Sequence, residues 1–305
     1  MNVISETISN YSKEFWDFKG TNKNGVHSIG KYPATMVAEM QKELLKIIIS
    51  NCNDKDINLL DPFCGSGTSL IEGLKMNLSV TGIDINPYAI LLSEVKCFCY
   101  DLSEMKDSIN RIINILDDCV DYPIHYFPNI DKWFRYDIKE SLSKLRYAIQ
   151  KENNILIRKF FWVCLSEVIF KYSNDRTSTF KLHIKESQQI EKIENHCVEY
   201  FKKLLYINSQ KLNYSHLNNY SLIQGNAIEE LSKIEHDSIS IICTSPPYGD
   251  NATTVTYGQF SILPLKWMDE KDVSCDSNLL STYSKIDYES MGGKTKKKKN
   301  VIYYI

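Results

Sequence analysis

One short segment constrains the fold of this chain more than any other: an apolar run that ends in an acid and breaks into a glycine-rich turn. It is Leu59–Thr68, with the sequence LLDPFCGSGT. Such a run predicts a strand over 57–63, then the turn, then a helix over 69–76. Ser79–Asp84 predicts a second strand that ends in an acid, and Pro87 suits the first turn of another helix. This order of elements is the first half of a nucleotide-binding type of α/β unit.

The turn and the second acid together indicate what kind of ligand the unit takes. Glycines remove Cβ atoms where the backbone must approach a ligand, and the helix after the turn begins with free N–H groups. The turn lacks the Gly-Lys-Ser/Thr of phosphate-gripping loops, which disfavours a nucleoside triphosphatase. Asp84 lies about 20 residues further on, where a carboxylate accepts hydrogen bonds from ribose hydroxyls. A helix N-cap ahead of Pro87 is the alternative role for Asp84.

Apolar residues at helical spacing predict helices on both sides of this unit. One begins near Pro33 and runs to about Ser50. Beyond residue 100 the helical segments are 102–120, 138–151, 154–173 and 186–206. That region is too long to be a loop, so we predict a helical insert. We expect its aromatic clusters, Trp133-Phe134 and Phe160–Trp162, to form a core rather than a base-stacking surface.

The α/β pattern resumes after the insert. The segment 221–227 predicts a strand that ends in a turn, and 238–243 predicts a β-branched strand. The second of these leads into Thr244–Tyr248, with the sequence TSPPY. Ligands of an open parallel sheet bind at the carboxyl ends of its strands. We therefore expect this segment and the glycine loop to lie on the same rim.

Two consecutive prolines make the segment Ser245–Tyr248 rigid and rich in exposed carbonyl groups. An exocyclic amine of a nucleobase is a poor nucleophile because its lone pair is delocalised into the ring. Hydrogen bonds from the amine to Ser245 Oγ and to the Pro246 carbonyl would aim that lone pair at an electrophile. Tyr248 would then stack on a base flipped out of its duplex. The segment therefore predicts chemistry on a base amine.

Charge and cysteine content set limits on partners and location. The net charge is −2, yet residues 131–211 hold 16 Lys/Arg against 10 Asp/Glu. Such an asymmetry is expected of a chain with one face on a polyanion, and a solvated helical face is the alternative explanation. No apolar run approaches the roughly 20 residues that span a bilayer, and the first 18 residues are polar, so we expect a cytoplasmic protein without a membrane partner. The nine cysteines show no paired CxxC spacing, which predicts neither a metal site nor disulfides.

These motifs resemble those of the S-adenosylmethionine-dependent amino-methyltransferases of DNA, best known from bacterial restriction–modification systems. The matching segments are Asp61–Thr68 (motif I), Gly82–Pro87 (motif II), Gly225–Ala227 (motif III), Lys31–Thr35 (motif X) and Ser245–Tyr248 (motif IV). The resemblance implies a Rossmann-like class I methyltransferase sheet, S-adenosylmethionine as cofactor, double-stranded DNA as substrate and a cognate restriction endonuclease as partner. Such an enzyme takes part in DNA methylation.

The resemblance also assigns residues. Those implied to bind the cofactor are Tyr32, Thr35, Asp61, Phe63, Gly65, Ser66, Gly67, Thr68, Asp84 and Asn226. Those implied to be catalytic are Ser245, Pro246, Pro247 and Tyr248. The serine version of motif IV resembles enzymes that methylate N4 of cytosine, whereas adenine-N6 enzymes more often carry Asp or Asn. In the insert, near Thr177–Leu182, Arg176 and Lys181 are the candidates for DNA contacts.

Several alternatives remain open. The chain could be an adenine-N6 DNA methyltransferase, an RNA base methyltransferase, or an inactive, truncated protein that binds DNA or the cofactor. Methylation at carbon 5 of cytosine needs a thiolate from a Pro-Cys pair, which the chain lacks. Cys64 is accordingly interpreted as a residue that fills the loop.

The predicted organisation has four parts and an incomplete end. The parts are a cofactor-binding half (1–100), the helical insert (101–220), a catalytic part (221–270) and an irregular tail (271–305). The family's sheet normally continues after motif IV, and here no convincing strand follows until 301–305. We expect a shortened product whose residues beyond the Lys296–Lys299 run are out of frame, or a split enzyme completed by a second polypeptide.

Overall fold

Four parallel strands form the centre of the part of the chain that the structure describes. The computed structural model describes residues 3–52, 56–176, 180–214, 219–246, 255–273, 278–282 and 284–290. The strands are β1 (Asn58–Asp61), β2 (Ser79–Asp84), β3 (Tyr220–Gln224) and β4 (Ile241–Ile242). Their order across the sheet is β3-β2-β1-β4. The predicted open α/β sheet of Rossmann-like type is confirmed.

Helices make up most of the rest of the described residues. They are α1 (Val3–Ser9), α2 (Ala38–Ser50), α3 (Thr68–Lys75), α4 (Pro87–Cys97), α5 (Leu102–Asp118), α6 (Ile130–Trp133), α7 (Tyr136–Ile149), α8 (Ile155–Tyr172), α9 (Ser187–Glu191), α10 (Cys197–Lys211), α11 (Ala227–Leu231), α12 (Tyr257–Trp267), α13 (Glu270–Val273) and α14 (Lys285–Ser290). Short 3₁₀ turns lie at Lys13–Trp16 and Gly25–Ser28. None of these helices is long and apolar enough to cross a bilayer.

The strand order creates a switch point between β1 and β4. After β1 the chain places β2 and then β3 on one side, and it returns to the other side of β1 for β4. Leu59 of β1 accordingly pairs with Val80 of β2 and with Ile241 of β4. Ligands of doubly wound sheets bind in the crevice outside the strand ends at such a point.

Helix α8 is buried on all sides, which explains its nearly continuous apolar sequence. It packs against α4 beside the sheet, against α7 and α10 of the insert, and against α12. The aromatic residues predicted to form a core, Trp133, Phe134 and Phe160–Trp162, are at most 2% exposed. One continuous apolar core thus joins the insert to the sheet, while the four-part division of the chain remains a prediction.

The helix predicted from Pro33 begins five residues later, at Ala38. The intervening residues are irregular, and Ala34 has a φ of 48°, which an α-helix does not accept. The local proline signal was therefore misleading. Residues 31–37 instead form a loop whose side chains reach the functional site.

Other predicted elements also differ from those observed. The segment 186–206 is divided into α9 and α10, because Asn195 between them donates to Asp137 O (3.0 Å) and to Ser141 Oγ (2.9 Å) of α7. The strand predicted over 238–243 is limited to the two residues of β4, and the strand predicted over 301–305 lies outside the described residues. The tail predicted to be irregular contains α14.

Candidate functional site

The carboxyl ends of the four strands open into one cavity of about 380 Å³. Because the strands are parallel, the segments that follow them meet at the same edge. Across the sheet from β3 to β4, the residues at or just after the strand ends are Asn226, Asp84, Gly65 and Ser245. All four residues line the cavity. The edge thus brings together residues from both α/β parts of the chain.

Most of the site residues predicted from the sequence lie in the cavity wall. They are Tyr32, Thr35, Phe63, Gly65, Ser66, Thr68, Asp84, Asn226, Ser245 and Pro246. Asp61 and Gly67 lie behind the wall rather than in it. Pro247 and Tyr248 fall outside the described residues, as do Thr177–Thr179 of the insert.

The glycine loop requires its glycines for two separate reasons. Gly65 and Gly67 have φ angles of 51° and 78°, in the region that residues with a Cβ rarely adopt. A Cβ on Gly65 would lie 3.2 Å from the ring of Tyr32, and one on Gly67 would lie 2.8 Å from Ser93 Oγ. The loop is therefore packed between the cavity wall above and helix α4 below.

Asp61 supports the loop from inside the protein. Its side chain is 0% exposed and accepts hydrogen bonds from Ser69 Oγ and from Phe63 N at 3.1 Å. Burial raises the pKa of Asp61, and the bond from Ser69 acts against that rise. The carboxylate thus links the end of β1 to the first turn of α3.

Asp84 lies in the cavity wall and not at a helix cap. Its Oδ2 accepts from Gly65 N and its Oδ1 from Asn86 N, both at 2.9 Å. The N-cap of α4 is Asn86, whose Oδ1 accepts from Tyr88 N. Burial raises the pKa of Asp84 to about 6. The Asp84 carboxylate therefore joins the glycine loop to the end of β2, and it also lines the cavity.

Asn226 follows β3 and also lies in the wall. Its Oδ1 accepts from Ile228 N at 3.0 Å, which caps α11. The preceding Gly225 N donates to Asp84 O at 3.0 Å, so this turn is fastened to the end of β2. The cap fixes the orientation of the amide side chain at the cavity.

An aromatic and polar cluster closes the side of the cavity formed by residues 31–37. Tyr32 stacks on Tyr257 of α12, with ring centroids 5.6 Å apart. Asn86 Nδ2 donates to Tyr32 OH (3.4 Å) and to Ser261 Oγ (2.9 Å). No sequence signal points to Tyr257 or Ser261, since neither belongs to a motif or to a strand end.

The segment after β4 contributes the exposed part of the wall. Ser245 and Pro246 are both exposed and line the cavity. The cavity thus has buried supports at β1 and β2 and a solvent-facing side at β4.

Helix α14 brings two further residues, Glu289 and Ser290, to the cavity. Asp287 holds the helix in place, because its carboxylate accepts from Gly258 N (2.7 Å) and Gln259 N (3.2 Å) at the start of α12. Their segment carries no motif, so Glu289 and Ser290 could not be recognised from the sequence.

Arg176 and Lys181, the predicted DNA contacts, lie outside the cavity. Both are exposed, and Arg176 Nη2 lies 3.6 Å from a carboxylate oxygen of Glu186. The segment that contains Lys181 touches α12 near the cavity, since Leu182 N bonds Gln259 Oε1 at 3.3 Å. The segment that contains Lys181 therefore lies against α12, the helix that carries Tyr257 of the cavity wall.

Cys64 lines the cavity but does not have the character of a nucleophile. Burial raises the pKa of its thiol well above the ordinary value. A thiolate, not a thiol, is the attacking species. The structure therefore agrees with the interpretation of Cys64 as a residue that fills the loop.

Comparisons with known proteins support a single family. A family model described as DNA methylase matches residues 4–95. The type II methyltransferase M.MvaI of Kocuria varians is 31% identical over 307 residues, which cover 94% of this chain and 66% of that protein. The type II methyltransferase M.BsoBI of Geobacillus stearothermophilus is 21% identical, covering 81% of this chain and 54% of that protein.

M.MjaII of Methanocaldococcus jannaschii, also a type II methyltransferase, is 35% identical over 89 residues, which cover 29% of this chain and 16% of that protein. No solved structure gives a significant match. The chain thus spans at most about two thirds of the length of these relatives. Within that span, the open parallel sheet, the glycine loop and the sequence match to these relatives all indicate the same family. This chain belongs to the DNA amino-methyltransferases of restriction–modification systems, a family that uses S-adenosylmethionine as methyl donor.

Proposed function

We propose that this protein methylates an exocyclic amine in double-stranded DNA, at N4 of cytosine. The observation that carries the proposal is the order of groups along one cavity edge: Asn226, Asp84, Gly65 and Ser245 follow one another across the sheet. Neighbouring strands are about 4.8 Å apart, so three spacings extend over about 14 Å. An elongated ligand fits such a row of groups.

The residues present fit S-adenosylmethionine. The cavity of about 380 Å³ is of the size that binds small ligands. Asp84 offers a carboxylate to ribose hydroxyls, Asn226 offers an amide to the adenine edge, and the loop at Gly65 has no Cβ to block the amino-acid end. When bound there, the cofactor supplies a methyl group on a positively charged sulfur. Tyr32 and Thr35 complete the wall beside the loop.

Ser245 and Pro246 are proposed to orient the base. Their exposure at the cavity lets a flipped-out base reach them. The Ser245 hydroxyl and the Pro246 carbonyl each accept an N–H of the amine, which turns its lone pair toward the methyl group. Pro247 stiffens this segment and Tyr248 stacks on the base, although both lie outside the described residues. The serine at this position favours cytosine over adenine.

Arg176 and Lys181 are proposed to contact DNA phosphates. The exposed ion pair of Arg176 with Glu186 contributes at most about 1 kcal/mol, so a phosphate can replace it at low cost.

We further propose two protein partners. One is a cognate restriction endonuclease, and the other is a second polypeptide that pairs beside β4, where Ile242 is 65% exposed.

The test is to incubate the protein with methyl-labelled S-adenosylmethionine and with duplex DNA or RNA of the same sequence. The nucleosides released by digestion are then separated. Label in N4-methylcytosine from DNA is the expected result. Label in N6-methyladenine would overturn the choice of base. Label only in RNA, or cofactor binding without any transfer, would overturn the proposed function.

A further inference from the structure

Two residues of α4 hold the underside of the glycine loop. Ser93 Oγ donates to the Gly65 carbonyl at 3.0 Å, and Lys96 Nζ donates to the Ser66 carbonyl at 3.2 Å. Ser93 is 0% exposed and Lys96 is 2% exposed. Residues three apart on a helix share one face. Helix α4 thus presents a hydroxyl and an amino group to two consecutive carbonyls of the loop.

These bonds determine where the amide groups of the loop point. In a trans peptide, the N–H points away from the carbonyl of the preceding residue. With the Gly65 carbonyl directed at Ser93, the N–H of Ser66 is directed to the opposite side, and Ser66 lines the cavity. The next N–H, that of Gly67, donates within the loop to the Cys64 carbonyl at 2.8 Å. Ser66 N–H is therefore a donor presented to a ligand.

The positive charge of Lys96, which lies behind the loop, has little compensation from other groups of the protein. The charged and titratable groups that act on Lys96, or on which it acts, are Lys23, His27, Cys97 and Glu167. The Glu167 carboxylate is engaged by Gly30 N (3.3 Å) and Asn208 Nδ2 (3.0 Å). Burial, followed by the charge of Lys23, lowers the pKa of Lys96 to about 7. An anion on the other side of the loop would favour the charged form of Lys96.

We infer that Ser93 and Lys96 are positioning residues of the cofactor site: they orient the loop so that Ser66 N–H receives the carboxylate of the cofactor, and Lys96 adds positive charge behind it. Neither residue lines the cavity, so both act through the carbonyls of Gly65 and Ser66. The inference rests on the proposed function, because it takes S-adenosylmethionine as the ligand.

The first test needs no variant. If the carboxylate stabilises charged Lys96, the protein takes up protons on binding S-adenosylhomocysteine at a pH slightly above 7. Calorimetry in buffers of different ionisation enthalpy measures this uptake. 5′-Methylthioadenosine, which lacks the amino-acid end, is expected to bind without it. Equal proton uptake with both ligands, or none with S-adenosylhomocysteine, would overturn the inference.

The second test uses Lys96→Met, Lys96→Arg and Ser93→Ala. Lys96→Met keeps an unbranched stem but has neither charge nor donor, and we expect it to weaken S-adenosylhomocysteine binding about tenfold. Its affinity for 5′-methylthioadenosine should stay within about twofold of wild type. Lys96→Arg should recover most of the loss, and Ser93→Ala should weaken the same ligand less. Equal weakening of both ligands would indicate a merely structural role and refute the inference.

The outcomes separate this inference from the proposed function. If wild type transfers methyl groups to DNA while Lys96→Met binds S-adenosylhomocysteine as wild type does, only the inference fails. If wild type binds the cofactor with the expected proton uptake but transfers nothing to DNA, only the proposed function fails. Should Lys96→Met not fold, the wild-type proton measurement decides by itself.

Discussion

The glycine loop and the segment after β4 form two sides of one cavity and differ in how they are held. Gly65 N bonds Asp84, the Gly65 and Ser66 carbonyls bond α4, and Gly67 N bonds Cys64 O. Ser245 and Pro246 instead follow a two-residue strand and are exposed. One side is shaped before any ligand arrives, and the other faces the solvent from which a DNA base would come.

This difference predicts that substitutions on the two sides have different effects. Changes at the loop should act through the folded structure and the cofactor, because its contacts are buried. Changes at Ser245 should act through the reaction, because an exposed serine contributes little to stability. A loss of cofactor binding from changes at Ser245, or a loss of rate alone from changes at the loop, would contradict this difference between the two sides.

The largest effect is expected for Gly67→Ala. A residue with a Cβ at positive φ costs about 1–2 kcal/mol, and the overlap with Ser93 at 2.8 Å adds about 1–3 kcal/mol. Gly20→Ala is the matched control, since Gly20 has a φ of 79° and nothing within 4 Å of its Cβ position. Chemical denaturation should show a clearly larger loss for Gly67→Ala, accompanied by weaker cofactor binding. Equal losses would mean that Ser93 does not restrict the loop.

Ser245→Ala should lower the rate of methyl transfer about 100-fold, because the amine loses one acceptor that positions it. Cofactor affinity and unfolding free energy should remain near the wild-type values. Ser232→Ala, at an exposed serine outside the cavity wall, is the control and should leave the rate unchanged. Single-turnover kinetics with duplex DNA measures the rate. A large loss of cofactor binding in Ser245→Ala would contradict the role assigned to it.

Asp84→Asn should weaken cofactor binding about tenfold, because a charged acceptor for the ribose is lost. The pKa of Asp84 is about 6, so the carboxylate becomes ionised as the pH rises through that value. Wild-type affinity should therefore rise from below to above pH 6, and the affinity of Asp84→Asn should not follow this rise. Titration calorimetry across this range tests the expectation.

Asp175→Asn is the control for that experiment. Burial raises the pKa of Asp175 to about 6 as well, but Asp175 does not line the cavity. Its replacement should leave both cofactor affinity and its pH dependence unchanged. If Asp84→Asn retained the wild-type pH dependence, another group would have to be responsible.

The smallest effect is expected for Arg176→Ala and Lys181→Ala. Each should weaken DNA binding a few-fold at about 0.15 M salt and reduce the slope of log affinity against log salt by about one. Lys106→Ala, at an exposed lysine of α5, is the charge-matched control. Fluorescence anisotropy over a range of salt concentrations measures the slopes. An unchanged slope for both variants would remove this segment from the proposed DNA surface.

Most of the cavity wall at β1 and β2 could be predicted from the sequence because its sequence signals are local. A glycine at positive φ, an acid at the end of a strand and Pro87 at a helix start each leave a signal within a few residues. Ser79–Asp84 was predicted with its observed bounds. The predicted start of α2 was wrong because contacts with the cavity wall, such as those of Tyr32 with Tyr257 and Asn86, hold residues 31–37 outside a helix.

The sequence by itself determined the α/β order, the glycine loop and the acids that follow the strands. The tertiary structure alone decided that Ser93 and Lys96 support that loop, that Tyr257 stacks on Tyr32, and that Asp287 brings α14 to the cavity. The physical reason is the distance along the chain. Periodicity tells which face of a helix is buried, but only packing between distant segments decides what that face meets.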